Sequence, residues 1–222
     1  LVGGTMLYFR ALERGLAELP TADPAVRARL AAEFAQQGSP ALHARLARRD
    51  PAAAARIHPH DQQRIQRALE VCELAGRSLT ELCAHPHNEP LPFRIVKLIV
   101  APMDRQVLHQ RIEQRFGIML DQGLIAEVEK LRARGDLHPD LPALRAVGYR
   151  QVWAYLDGKL TDTAMIERAI IATRQFAKRQ LTWLRAESGA FWLDSRDDHL
   201  LDRSIACLHE HRFFPKTLER LC

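Results

Sequence analysis

Three times in the first quarter of the chain a helix-capping residue stands directly before a proline, at Asp23-Pro24, Ser39-Pro40 and Asp50-Pro51. An oxygen at the capping position accepts from the backbone N–H groups that a first helical turn leaves unpaired, and the proline pre-sets φ for the first helical residue. Each pair therefore starts a helix and stops the preceding one from running through. Asp61 is placed to cap a fourth helix, Gln62 to Ala75, which Gly76 stops, and Ser78 with Glu81 has capping-box spacing for a further turn or two. Residues 21–83 are predicted to form an all-helical unit.

The texture then changes. His85 to Pro92 contains three prolines and reads as a connector, after which Phe93 to Ala101 is a β-branched run with proline on both sides, the pattern of a buried strand. Asp104 is positioned to cap a helix from Arg105 to about Leu120, and another is expected from Leu124 to Arg134, ending at Gly135. Further helices are expected from about Ala146 to Leu156 and, capped by Asp162, from about Thr163 to Ala186. Phe191 to Asp194 has the character of a last core strand, and the final stretch to Cys222 reads as helical. The chain is thus expected to be mostly helical, an α/β core interrupted by a helical subdomain, divided at residues 1–20, 21–92 and 93–222.

Leu1 to Phe9, Leu-Val-Gly-Gly-Thr-Met-Leu-Tyr-Phe, reads as a strand, a tight glycine turn and a helix start. Two readings fit Gly3, Gly4 and Thr5. One is a structural corner requiring positive φ; the other is an anion site where backbone N–H groups and a helix N-terminus meet a phosphate beside the Thr5 hydroxyl. Because the chain begins at Leu inside that segment, it is expected to be a piece of a longer protein.

The apolar runs, such as Ile95 to Pro102, are too short to cross a bilayer, which points to a soluble protein. The net charge is +5, from 32 Lys and Arg against 27 Asp and Glu, with Arg far outnumbering Lys; guanidinium groups bind phosphate bidentately, so this tilts toward phosphate or nucleic-acid chemistry. Four cysteines, Cys72, Cys83, Cys207 and Cys222, have no C-x-x-C spacing, as suits a reducing cytoplasm. Cys83 with His85 and His87, His58 with His60, and His209 with His211 are clusters that lack a convincing fourth ligand, so no metal site is expected in this chain.

Three segments concentrate cations. Gln63, Arg64, Ile65, Gln66 and Arg67 lie on the fourth helix, with Arg64 and Arg67 near one another on a face and Ile65 on the apolar side. On the long helix, Arg174, Lys178 and Arg185 fall within about 40° of each other, with Arg168 and Arg179 on a neighbouring stripe; Met165, Ala169, Thr173, Phe176, Leu181 and Leu184 make the apolar side. Arg145-Ala-Val-Gly-Tyr-Arg-Gln-Val-Trp153 sets cations beside Gly148, where backbone can approach closely, Tyr149, which can stack on a base, and Gln151, which can pair with a base edge. For each helix, a solvated face and a phosphate-binding face both fit the pattern. No Ser-His-Asp or paired-carboxylate arrangement is evident, and Asp61, Asp104 and Asp162 are explained as caps.

Taken in order, the opening Gly-Gly-Thr segment, Ala22-Asp-Pro-Ala-Val-Arg27, Asp61 to Glu70, Arg145 to Trp153 and Ala172 to Arg185 resemble the tRNA dimethylallyltransferases, bacterial in style, over residues 1 to about 195. The resemblance implies a P-loop-kinase-like parallel-sheet core, incomplete in this chain, with a helical insertion. It implies transfer of a dimethylallyl group from dimethylallyl diphosphate to N6 of the adenine on the 3′ side of the tRNA anticodon, with Mg²⁺ assisting the diphosphate, by a cytoplasmic monomer. It assigns Thr5 to the reaction site as the catalytic candidate, and Gly3, Gly4, Thr5 and Arg145 to the diphosphate. The tRNA contacts it implies are Thr5, Arg27, Gln63 to Arg67, Arg145 and Gly148 to Gln151, the last four being Gly148, Tyr149, Arg150 and Gln151. The helix face adds Arg174, Lys178 and Arg179 as phosphate binders.

The family's G-x-x-x-x-G-K-[ST] loop and its general-base aspartate precede Gly-Gly-Thr and have no counterpart in these 222 residues, so the chain by itself is expected to be inactive. Two other functions compete with the enzyme: a non-catalytic tRNA-binding helical module, and a nucleotide-kinase-like remnant.

Overall fold

The computed structural model describes residues 1–84, 91 and 94–210. The chain divides into two units, Leu7–Phe93 and, on either side of it, Leu1–Met6 with the residues from Arg94 on. The first break between these units falls at Met6–Leu7.

The inner unit is all helical among its described residues: α1 (Met6–Arg14), α2 (Pro24–Arg49), α3 (Pro51–Arg56), α4 (Gln62–Ala75) and α5 (Leu79–Ala84). The caps explain the breaks. Asp23 accepts from the N–H groups of Ala25 and Val26, Asp50 from Ala53, and Asp61 from Arg64. Ser78 and Glu81 bond reciprocally, N–H to side chain in each direction. Within α2 the helical path is interrupted at Gly38, whose φ of 78° and ψ of 163° let Pro40 begin a second run without displacing a hydrogen bond. Leu30, Phe34, Leu42 and Leu46 of α2 bury against Ile65, Ala68 and Leu69 of α4, each large side chain contributing roughly 1.5–3 kcal/mol by leaving water.

The outer unit contains β1 (Lys97–Ala101), α6 (Arg105–Asp121), α7 (Leu124–Ala133), α8 (Tyr149–Leu156), α9 (Asp162–Arg185), β2 (Ala190–Asp194) and α10 (Leu200–Glu210). β1 and β2 pair in parallel, Lys97 opposite Ala190 through Ala101 opposite Asp194. Parallel partners need a long crossover, and α6 to α9 supply it. The Lys97 ammonium meets Glu187 at 2.7 Å just before β2 begins. Phe116, Val128, Val152, Trp153, Met165 and Ala169 form this unit's core, so α9 buries one stripe against α6 to α8.

Several expectations need correction. Leu1 and Val2 form no strand: they are fully exposed, and the sheet among the described residues holds only β1 and β2. Gly3 and Gly4 do not take positive φ, so no left-handed corner exists there. The strand predicted from Phe93 begins at Lys97, with Phe93 outside the described residues. Thr161, not Asp162, caps α9, its hydroxyl accepting from Ala164 N–H at 3.2 Å. Phe176, expected on the apolar side, is exposed beneath the Arg179 guanidinium at 5.7 Å. Residues 85–90, 92, 93 and 211–222, where most of the connector and the end of the last helix were expected, lie outside the described residues.

Candidate functional site

A groove between α6 and α9 gathers four of the outer unit's cations. Arg105 and His109 line it from α6, and Arg174, Lys178 and Arg185 line it from α9. Leu108 and Leu181 supply apolar lining, and Thr182 stands at its side. Arg105 and His109 are one turn apart, and the Arg105 Nε donates to His109 Nε2 at 3.4 Å. Arg174 is bonded to Glu113, yet its Nε is buried without any hydrogen-bond partner. An orphaned guanidinium N–H costs free energy until an acceptor arrives. Four full cations against one carboxylate partner give the groove a net positive charge, an environment that favours anions.

Of the three α9 cations inferred from helix geometry, Arg174 and Lys178 share this groove and Arg179 does not line it. Arg185, which the helix geometry sets on the same stripe as Arg174 and Lys178, lines the groove as well, whereas Arg105 and His109 were not singled out from sequence. Arg105 and His109 have a detectable signal, an i, i+4 pair on one helix face, but their approach to α9 depends on tertiary packing.

The opening segment meets α9 elsewhere. Gln180 Nε2 donates to the Gly4 carbonyl at 2.8 Å. A Cβ on Gly4 would lie 2.5 Å from that nitrogen, so a side chain there would have to push the flexible Gln180 amide aside. Gln180 points roughly 140° around the helix axis from the groove. Gly3 and Thr5 are exposed beside it, and the segment and groove thus occupy different faces of α9.

In residues 145–151 the exposed cations are Arg145 and Arg150. Gly148 is buried with φ of 97° and ψ of −65°, and its N–H donates to Gln151 Oε1 at 2.9 Å. Gln151 is only 6% exposed, with its Oε1 committed to that N–H rather than free for a base edge. The Tyr149 hydroxyl donates to Glu127 of α7, and that bond, with burial and the carboxylate charge, raises the phenol above its ordinary range.

In the inner unit, Ile65, expected among the contacts, has no exposed surface and packs in the core. Gln63 and Arg64 are exposed, with Arg64 paired to Asp61 at 3.2 Å. Gln66 Nε2 donates to the Arg27 carbonyl at 3.1 Å. Arg27 and Arg67 converge on the buried Glu70, at 2.9 and 2.7 Å, and Arg67 also donates to the Pro20 carbonyl at 2.9 Å. Their guanidinium groups are therefore partly neutralised. Among the described residues no group of three His, Cys, Asp or Glu side chains is arranged to hold a metal ion. His85, His87 and His211 of the histidine clusters lie outside the described residues.

Residues 1–187 match the protein family described as IPP transferase. The chain belongs to that family. It is 57% identical over 204 residues to the tRNA dimethylallyltransferase of Methylococcus capsulatus, covering 92% of this chain and 65% of that protein. The chain therefore spans just under two thirds of that relative's length. Among solved structures, it is 34% identical to the full-length tRNA isopentenylpyrophosphate transferase of Bacillus halodurans, with a TM-score of 0.53 over 92% of this chain and 62% of that one. A eukaryotic dimethylallyltransferase acting on tRNA, 24% identical, shares the fold at a TM-score of 0.72 over 99% of this chain and 60% of that one.

Proposed function

We propose that this chain is the larger part of an enzyme that transfers a dimethylallyl group from dimethylallyl diphosphate to N6 of the adenine 3′-adjacent to the anticodon of tRNA. The observation that carries the proposal is the 57% identity to a tRNA dimethylallyltransferase over 92% of the chain. The cationic groove between α6 and α9 supports it, because a polyanionic substrate must be held before any chemistry occurs. A P-loop-kinase-like core, of which the parallel β1–β2 pair would be a portion, belongs to the same proposal.

In this reaction the N6–C1 bond forms as the allylic C1–O bond breaks, the electron pair leaves with diphosphate, and the N6 proton passes to a base. The site must neutralise charge that grows on the departing oxygens. Arg145, exposed beside a fixed turn, is the cation proposed for that task. Thr5, next to the anchored Gly4, is the hydroxyl proposed at the reaction centre. Mg²⁺ is proposed as the companion of the diphosphate. The described residues offer no carboxylate, histidine or cysteine cluster for it, so no step is routed through the metal.

No described helix is long and apolar enough to cross a membrane. A monomer is proposed on the family resemblance alone, and a cytoplasmic location is supported by Cys72, Cys83 and Cys207 being free thiols.

The test is incubation of the full-length gene product with an anticodon stem-loop and dimethylallyl diphosphate, followed by mass analysis of the nucleosides. An adenosine carrying one added dimethylallyl group is expected. Absence of that product, or phosphoryl transfer to a nucleotide in its place, would overturn the proposal.

A further inference from the structure

The turn at Gly148 holds an unfavourable conformation inside the protein, and two side chains restrain it. A φ of 97° with a ψ of −65° is a backbone state that L residues rarely adopt, and even glycine needs its surroundings to hold it there. Gly148 is buried, so its N–H would be orphaned without an acceptor, and the Gln151 Oε1 supplies one at 2.9 Å. Backbone bonds from Arg150 N–H to Ala146 O and from Val152 N–H to Gly148 O close the turn on either side. The second restraint is the bond from the Tyr149 hydroxyl to Glu127, which ties the start of α8 to α7. Between and beside these restraints, the charged side chains facing solvent are Arg145 and Arg150, with the small apolar Ala146 and Val147 exposed between them.

Resting on the function proposed above, we propose that Gln151 and Glu127 are positioning residues. They hold the Gly148–Tyr149 turn so that Arg145 and Arg150 meet the phosphates of the RNA and of the prenyl diphosphate, and Gln151 itself touches neither substrate. A side chain reading a base edge uses both the donor and the acceptor of its amide. A side chain capping a backbone N–H uses the acceptor alone, and glutamate is the residue that otherwise fills this capping-box position. The two roles therefore respond oppositely to one substitution.

The experiment compares Gln151→Glu with Gln151→Met in the full-length gene product, measuring tRNA affinity, its salt dependence and the exchange rate of the Gly148 amide. Gln151→Glu keeps the acceptor beside a helix N-terminus, where negative charge is favoured, and is expected to bind tRNA within about twofold of the parent. Gln151→Met removes the acceptor and is expected to bind roughly fivefold more weakly, the scale of one lost cap, with an unchanged salt slope and faster exchange at Gly148. Equal weakening by both substitutions would mean that the amide donor is used, which overturns the inference. So would unaltered binding by Gln151→Met.

If Gln151→Glu fails to fold, the second restraint decides the matter, because Glu127 is exposed and tolerates change. Glu127→Gln is then expected to preserve tRNA affinity and Glu127→Ala to lower it severalfold; equal affinities overturn the inference. A parent protein that binds no tRNA at all overturns the functional proposal and the positioning role with it. Exchange at Gly148 would identify that outcome, since the hydrogen bond would then persist in a protein without the substrate.

Discussion

Arg27 and Glu70 are 43 residues apart in sequence, and the Arg27 Nε donates to the Glu70 Oε1 at 2.9 Å. Glu70 has no exposed surface, whereas Arg27 is half exposed, so a surface cation reaches inward to a carboxylate that water does not. Arg67 and the Asp23 N–H complete the carboxylate's partners, at 2.7 and 3.0 Å. A buried charge is tolerated only when its lone pairs are occupied in this way. The cluster joins the start of α2 to α4 and, through the Arg67 bond to Pro20, the segment before it. Glu70→Ala is expected to lower stability by about 2 kcal/mol, less than for a fully enclosed pair because both arginines can turn to water. Urea unfolding monitored by circular dichroism measures it, and a loss below about 0.5 kcal/mol would show the cluster to be dispensable.

Acid should dismantle the same unit. Burial acts to raise the Glu70 carboxyl, but bonds from Arg67, Arg27 and the Asp23 N–H outweigh it and leave the group below its ordinary value of 4.5. Asp50 behaves likewise: burial raises it, bonds from Ala53 and Thr80 lower it further, and it sits below its ordinary 3.8. Both groups hold fewer protons folded than unfolded at a given acidic pH, so stability increases with pH in that range. Their contributions are complete above pH 4.5 and are lost as pH falls through the depressed folded values. Thermal unfolding followed from about pH 7 to about pH 3 should show a loss that Glu70→Gln reduces. A midpoint independent of pH over that range would contradict the assignment.

How much of this was legible beforehand depended on the range of the interaction. Asp23, Asp61, Gly76 and the Ser78–Glu81 pair act on backbone groups within a few residues, and each stands in the structure where its local chemistry put it. Leu1 and Val2 have the composition of a strand, but a strand exists only as part of a ladder, and its partner is not specified locally. Gln151 looked like a solvent-facing amide because nothing in its neighbours reveals that Phe116, from another helix, closes over Gly148 at 4.0 Å from where a Cβ would be. The groove is similar: helix geometry gathered Arg174, Lys178 and Arg185, while Arg105 and His109 joined them through the packing of α6 on α9. Cations on exposed faces could be read from local spacing, and the acceptors and walls that organise them could not.

Asp50 links three points of the chain. It caps α3 through the Ala53 N–H at 2.9 Å and accepts from the backbone N–H and hydroxyl of Thr80 at 2.9 and 2.8 Å. Asp50→Ala is expected to cost about 2 kcal/mol, combining a lost cap with a buried N–H left unpaired. Thr80→Val removes the bond that the hydroxyl accepts from Arg56 at 3.1 Å on the exposed side and the bond that it donates to Asp50, and should cost about 1 kcal/mol. Because the two share that bond, the double variant should be less destabilised than the sum, and strict additivity in a double-mutant cycle would refute the linkage.

Thr5 separates structure from chemistry. It is exposed and lies next to Gly4, whose carbonyl is held by Gln180, so removing its hydroxyl takes nothing from either core. Thr5→Ala should leave the unfolding midpoint within about 1 °C while lowering prenyl transfer by the full-length product about tenfold or more. Thr5→Ser should recover most of that loss. Equal turnover for the alanine variant and the parent would remove Thr5 from the reaction centre.

The groove makes a prediction about salt. Each cation that neutralises a phosphate releases counterions on binding, so its loss weakens affinity for any RNA sequence and reduces the salt dependence by about one unit of slope. Lys178→Ala and Arg105→Ala should both do this, although they stand on different helices, because they line one groove. Arg179 lies outside that lining and stacks over Phe176 instead, so Arg179→Ala should leave the slope nearly unchanged. The measurement is tRNA binding by fluorescence anisotropy across a salt series, with unfolding midpoints to confirm that each variant is folded. If Arg179→Ala reduces the slope and Arg105→Ala does not, the RNA follows the stripe marked by Arg168 and Arg179, and the groove between α6 and α9 is not its path.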